Sequence, residues 1–322
     1  MTTCRSTLFF ATFTLLVCTS APALAQQGAP PASRVIFNGR PLPVFFNDGD
    51  SFRVLSGPKA GMKARLMGFN TLESYGKAHG WGGWTQKELY WFAKLATLNA
   101  RRGVWHCKAE SEERDVYGRR LLYCQDLAID QIKRGYAHVM SVNAEPGRPE
   151  LVEAQLDAIK HRRGMWAHGV PYYVLTSLHS ISEGGGRDGK TYNRLVSTLD
   201  GHSAKWRHTN SYKLCEEVCF GERVVPLSVI QKATKTLTND ADLKLLVTEI
   251  GASRLLQMVA DFARLGYFVG LKDVPSRTLL ARKLRSLQSA GELGGKERRR
   301  GSCMVYVPFK QRYGRARVGC LD

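Results

Sequence analysis

Between Asp48 and Glu73 the chain reads D-G-D-S-F-R-V-L-S-G-P-K-A-G-M-K-A-R-L-M-G-F-N-T-L-E. Four of its side chains, Asp50, Arg65, Asn70 and Glu73, suit a single piece of chemistry if the fold brings them together. Carboxylate and amide oxygens hold a hard cation such as Ca²⁺, and a guanidinium forks onto phosphate oxygens. A further carboxylate beside them can orient or deprotonate water. Singly, each residue is most often a solvated surface group. The ordered set is what carries weight.

The elements around the set can make it meet. An acidic turn, Asp48-Gly49-Asp50, feeds a strand from Ser51 to Leu55, and Gly57 to Gly61 is strong turn chemistry. A second strand runs from Lys63 to about Phe69, so folding the hairpin returns the acidic turn towards Asn70, Thr71 and Glu73. Upstream, Val35-Ile36-Phe37 and Val44-Phe45-Phe46 flank Asn38-Gly39 as a short edge hairpin. Downstream, Tyr75 to Gly83 is a glycine- and aromatic-rich loop, either a substrate-facing flap or, the favoured reading, one whose tryptophans cover the barrel. Thr85-x-x-Glu88 is a capping box for a helix to about Ala100, with Leu89, Phe92 and Ala96 on its core face. Val104 to Cys107 and Leu121 to Cys124 read as paired strands around a loop carrying Arg114, Asp115, Arg119 and Arg120. A helix over Leu127–Arg134, a strand over Tyr136–Met140 and a helix over Pro149–Arg163 complete the segment. The class is α+β, a five-stranded barrel braced by three helices.

This segment resembles the staphylococcal nuclease (thermonuclease) family. The hairpin carries the resemblance, together with Asp115-Val116-Tyr117-Gly118-Arg119, similar to the family's D-[KR]-Y-G-R loop, and Gly164-Met165-Trp166, similar to its closing helix end. It covers roughly residues 43 to 168 in the right order. The resemblance implies an OB-type barrel that cleaves DNA and RNA phosphodiesters with Ca²⁺. It assigns Asp50, Asn70 and the Thr71 carbonyl to the metal, Glu73 as general base, and Arg65 and Arg119 as phosphate clamps. Tyr117 and Arg120, in and beside the same loop, are the candidate substrate-binding residues. Two positions depart from the pattern. Asn70 stands where a second liganding aspartate is usual, and the family's base-flanking tyrosines fall at Ser141 and Asn143.

Composition agrees with a polyanionic partner. The chain has 47 basic and 28 acidic residues, a net charge of +19, and such a field attracts nucleic acid at long range. Its start reads as an export signal: Arg5, an apolar run from Leu8 to Val17, and Ala23-Leu24-Ala25 before a cut at Gln26. The expected product is exported, periplasmic or extracellular, with no stable membrane association. A leader follows over 26–42, ending in the edge hairpin. Removing Cys4 and Cys18 leaves six of the eight cysteines, an even number that favours disulfides. Cys107 and Cys124 sit at symmetric ends of one hairpin and could staple it.

Residues 43–169 form the nuclease-like domain, and 170–322 a C-terminal cysteine module. Pro171 to Ser211 reads as polar and loop-rich, and His179, His202 and His208 as surface-loop histidines ahead of a metal-ligand cluster. Leucines, isoleucines and valines spaced by three and four over about 226–289 predict amphipathic helices, capped at Asp240 and Ser276. This helical block reads as an insertion between Cys219 and Cys303, and no protein partner for it is legible. Cys215, Cys219, Cys303 and Cys320 allow three pairings. The nested one, Cys219–Cys303 with Cys215–Cys320, is the expectation. The runs Lys296–Arg300 and Lys310–Arg317 are an auxiliary basic strip or a solvated surface. The rival to an enzyme is a catalytically impaired OB-fold module that binds nucleic acid or protein, and Asn70 is its best support.

Overall fold

The structure, a computed structural model, describes residues 33–184, 188–312 and 318–322. The expected export signal, the stretch that follows it to residue 32, and Tyr313 of the basic tail lie outside the described residues.

Val35, Phe37, Leu42, Val44 and Phe46 alternate with more exposed neighbours, and this period of two makes β1 (Ser33–Phe37) and β2 (Arg40–Asp48). Asn38 and Gly39 between them both take positive φ, 49° and 78°, as a two-residue hairpin turn requires. Next come β3 (Ser51–Val54), β4 (Lys63–Leu66), β5 (Gly68–Thr71) and β6 (His79–Trp81). Helix α1 (Gln86–Arg102) opens on the expected capping box, with Thr85 and Glu88 each accepting from the other's backbone N–H. Then follow β7 (Val104–Arg114), β8 (Arg120–Tyr123), α2 (Gln125–Lys133), β9 (Ala137–Met140) and α3 (Pro149–Lys160).

The barrel is closed and has six strands, in the order β1-β2-β3-β4-β8-β7, where five were expected. Two differences produce the count. The first hairpin is no edge, because β1 also pairs in parallel with β7, from Arg34↔Val104 to Phe37↔Cys107. That closure leaves no open row of backbone donors and acceptors. The strand at Ala137–Met140 pairs instead with β5 alone, Asn70 opposite His138 and Thr71 opposite Ala137. The break between β4 and β5 falls at Met67-Gly68, where Gly68 has φ 89°. Val35, Phe46, Phe52, Leu66 and Leu122 share one buried cluster with Ala100 of α1, Leu127 and Ile132 of α2 and Leu151 of α3.

Trp81 packs outside that cluster. It stacks on Trp166 at 6.2 Å, and the indole N–H groups of Trp81 and Trp84 both donate to the Met165 carbonyl, at 3.3 and 2.8 Å. The 75–83 loop therefore does not cover the barrel with its tryptophans; they join a second core with Leu72, Leu89 and Val174.

The described residues of 171–211 are not all loop. They include an antiparallel sheet of β10 (Tyr173–Ser177), β11 (Thr191–Ser197) and β12 (Ser203–His208). The polar composition misleads because its buried polar groups are paired. Asn193, fully buried, accepts from His179 N–H at 3.0 Å and donates to the Tyr212 hydroxyl at 2.7 Å. His202 is not at the surface either: it is 1% exposed between Asp200 and Asp261.

Strand β13 (Glu217–Val224) is followed by the helical insertion: α4 (Leu227–Thr238), α5 (Lys244–Ile250), α6 (Ala252–Leu265) and α7 (Val274–Ser289). The chain returns in β14 (Lys296–Val305) and ends in the short α8 (Phe309–Arg312) and a final turn. Asp240 caps as expected, accepting from Asp242 N–H at 2.9 Å. The cap of α7 is Asp273, which accepts from Ser276 N–H at 2.8 Å, so Ser276 is the donor and not the cap. Strand β14 pairs with β13 and also with β6, setting Cys303 opposite both Cys219 and Gly80. The disulfides are Cys107–Cys124, Cys215–Cys320 and Cys219–Cys303, the nested pairing. Three disulfides are compatible with an oxidising compartment. Among the described residues no helix is long and apolar enough to cross a membrane.

Candidate functional site

Gly49 explains why the acidic turn lies where it does. A Cβ there would meet Thr71 Cγ2 at 2.6 Å and Ala96 Cβ at 2.8 Å, so only glycine lets the β2–β3 turn pass between β5 and α1. Asp50, 2% exposed, is thereby pressed against β5. Its Oδ2 accepts from the Thr71 N–H at 2.8 Å and the Thr71 hydroxyl at 3.0 Å. Its Oδ1 accepts from Arg65 Nη1. Arg65 reaches it because β3 and β4 pair with Ser51 opposite Arg65.

The same guanidinium spans to Asn70, with Nη2 donating to Oδ1 at 2.5 Å. Asn70 Nδ2 donates to the Thr71 carbonyl at 2.9 Å and lies 3.3 Å from His138 Nε2. His138 Nδ1 is 2.9 Å from the Val139 carbonyl, which fits a neutral ring whose Nε2 accepts from Asn70. Burial pushes His138 down to about 4, consistent with that neutral form. The histidine thus fixes which way the Asn70 amide faces.

Around this core the acids are crowded. Burial, with Asp50 and Glu73 nearby, pushes the Asp48 carboxyl up to about 7, against the opposing Ser51 hydrogen bond and Arg65 charge. Burial and the charges of Asp48, Glu73 and Asp50 likewise raise the Tyr75 phenol. Glu73 has a side chain 23% exposed, with Arg312 Nη1 at 3.9 Å from its Oε1.

Arg119 is engaged within its own loop. Its Nε donates to Asp115 Oδ2 at 2.7 Å, and its backbone N–H donates to Oδ1 at 2.9 Å. Burial works against ionising Asp115, but these bonds from Arg119 hold its carboxyl below the usual range. Strand register sets Arg65 opposite Leu121, two residues beyond Arg119. Arg120 pairs with Glu112. Tyr117 is half exposed, lies under the Arg119 guanidinium at 5.4 Å, and stacks on Phe309 at 4.8 Å.

No family model matches the chain, and no curated protein matches it. The geometry therefore stands by itself. Of the residues expected at the site, the structure joins Asp50, Arg65, Asn70 and Thr71 by direct hydrogen bonds. It sets Glu73 close enough to act on Asp48 and Arg65 through charge, and gives Arg119 and Arg120 partners in their own hairpin. Ser141 and Asn143 do not form a base pocket: Ser141 donates to Asn143 at 2.7 Å, and both backbones bond to the turn at Gly201–Ser203. Three participants went unread in the sequence, Asp48, Tyr75 and His138. Only Asp48 had a local signal, its place in the acidic turn.

Among the described residues, the group of His, Cys, Asp or Glu side chains with metal-ligand spacing is Glu217 with Cys219 and Cys303. Both thiols are spent in a disulfide, so it is no metal site. Part of the first basic run is also internally paired, with Arg300 on Glu217 at 2.8 Å and Arg298 on Glu222.

Proposed function

We propose that this chain is an exported, calcium-dependent nuclease of the staphylococcal nuclease type, with an OB-type barrel supported by α1, α2 and α3. The observation that carries the reading is the partly buried set Asp50–Arg65–Asn70–Thr71, in which residues singled out from sequence order bond directly. The donor set fits a hard cation. Asp50, the Asn70 amide oxygen and the Thr71 carbonyl offer oxygens, and the crowding that raises Asp48 is what a divalent charge relieves. Those three residues would hold Ca²⁺, which when bound supplies charge neutralisation at a phosphoryl oxygen.

Glu73 is the general base. It takes a proton from water as the water oxygen bonds to phosphorus and the bond to the leaving oxygen breaks. Arg65 directs two donors at Asp50 and Asn70 and has others for a phosphate oxygen. Arg119, mounted rigidly on Asp115, offers the second guanidinium, and such donors are worth most where water is excluded. The +19 net charge supplies the long-range attraction for DNA or RNA.

One observation favours the binding-module reading: Arg65 already occupies the Asp50 and Asn70 oxygens that an ion would take. Protein expressed from Gln26 and incubated with DNA and with RNA, in Ca²⁺ and in excess chelator, separates the two. Cleavage that needs Ca²⁺ supports the nuclease. Binding without cleavage supports the module.

A further inference from the structure

We propose that Arg312, supplied by the C-terminal half, is a third phosphate-contacting arginine of this site. The inference rests on the nuclease reading and extends it to a residue that the sequence offered only as part of a basic tail.

Helix α8 touches the site at two separated points. Phe309 lies parallel to Tyr117, at 4.8 Å and 12°, on the loop that carries Arg119. Three residues on, Arg312 faces Glu73. The C-terminal half thus spans from the clamp loop to the proposed base.

The state of the Arg312 guanidinium points to an anionic ligand. Its side chain is only 8% exposed, so most of its hydration is gone. Nη2 donates to the Val305 carbonyl at 2.9 Å, while Nε is buried with no hydrogen-bond partner among the described residues. Nη1 stands 3.9 Å from Glu73, beyond the roughly 2.7–2.9 Å of a charge-assisted hydrogen bond. A guanidinium desolvated to this extent and so incompletely satisfied is costly unless an acceptor arrives. A phosphate oxygen beside Glu73 is such an acceptor, and the planar fork can take two of them.

The arginine is also held still. Val305 ends β14, its N–H donates to the Ala78 carbonyl at 2.8 Å, and the strand is tied to β13 by Cys219–Cys303. A structural ion pair alone would close on Glu73. A substrate-facing arginine would sit as this one does, anchored at one nitrogen with donors left over.

The test uses the chain from Gln26 with Arg312→Ala, Arg312→Lys, and Lys232→Ala on the exposed face of α4. Affinity for a short fluorescent single-stranded DNA is titrated across salt in a Glu73→Gln background, and turnover is measured with Glu73 intact. Arg312→Ala should weaken binding roughly tenfold and flatten the slope of log K against log salt by about 0.7, one phosphate contact on a single strand. Arg312→Lys should keep the slope but raise KM and lower kcat several-fold, because the charge stays and the fork is lost. Should the alanine variant fail to fold, the lysine variant decides alone: wild-type kinetics overturn the proposal. An unchanged slope in Arg312→Ala, or an equal loss in Lys232→Ala, overturns it too, while cleavage by the parent chain leaves the nuclease reading intact. A parent chain that neither binds nor cleaves removes both.

Discussion

Asp50 is tied to Thr71 twice, through the Thr71 N–H at 2.8 Å and its hydroxyl at 3.0 Å, both on the same carboxylate oxygen. The other oxygen carries Arg65, so Asp50 is the hinge pin of the cluster. Asp50→Ala takes the directly bonded carboxylate from a mostly buried guanidinium and should cost about 3 kcal/mol of stability. Thr71→Val removes one neutral donor and should cost about 1 kcal/mol. Urea unfolding of both variants measures the two losses, and their order is the sensitive part.

Glu73→Gln keeps the shape of the side chain and removes its basicity. Turnover should fall by on the order of 10²-fold, with oligonucleotide affinity retained. A fully active glutamine variant would mean that another group takes the proton.

Asn70→Asp places a second anionic oxygen beside Asp50, at the cost of the Asn70 hydrogen bond to the Thr71 carbonyl. After desolvation and mutual repulsion we expect Ca²⁺ affinity to rise by about 1–2 kcal/mol, about tenfold. Calorimetric titration with Ca²⁺ alone compares the proteins directly. Equal or weaker binding would detach Asn70 from the ion site.

His202 gives the fold a pH dependence away from the site. Burial opposes its charge, but Asp261 at 3.1 Å and Asp200 at 2.5 Å raise it from 6.5 to about 9. A folded value above the unfolded one means that the contribution is complete below about pH 6.5 and is lost as pH rises through about 9. Chemical denaturation at pH 6 and pH 10 should show that loss, and His202→Gln should flatten it.

The disulfides should differ in worth. Cys107–Cys124 closes a separation of 17 residues, whereas Cys219–Cys303 and Cys215–Cys320 close 84 and 105. The chain-entropy argument gives about 3 kcal/mol for a short loop and about 4.7 kcal/mol near 100 residues. Serine replacement of both long-range pairs together should therefore lower the urea midpoint more than replacement of the short one. Without reductant, protein starting at Gln26 should take up no alkylating label.

Much of this protein was readable one residue at a time. The Thr85–Glu88 box, the Asn38-Gly39 turn and the three-and-four spacing of the insertion are signals carried by neighbours in the chain, and each element formed where its signal lay. The nested cysteine pairing and the approach of Asp50 to Arg65 and Asn70 were also legible, since a single hairpin links the latter three. What the chain order could not express depends on contacts between distant strands. His138 reaches Asn70 only because β9 leaves the barrel to pair with β5, and β1 closes the barrel only because β7 arrives in parallel beside it. The sheet of β10, β11 and β12 was hidden for a related reason. Burial of Asn193 and His202 is tolerated by partners far along the sequence, so their polarity looked like solvent exposure. Arg312 meets Glu73 across more than two hundred positions, and only packing of the two halves through β6 and β14 brings that contact about.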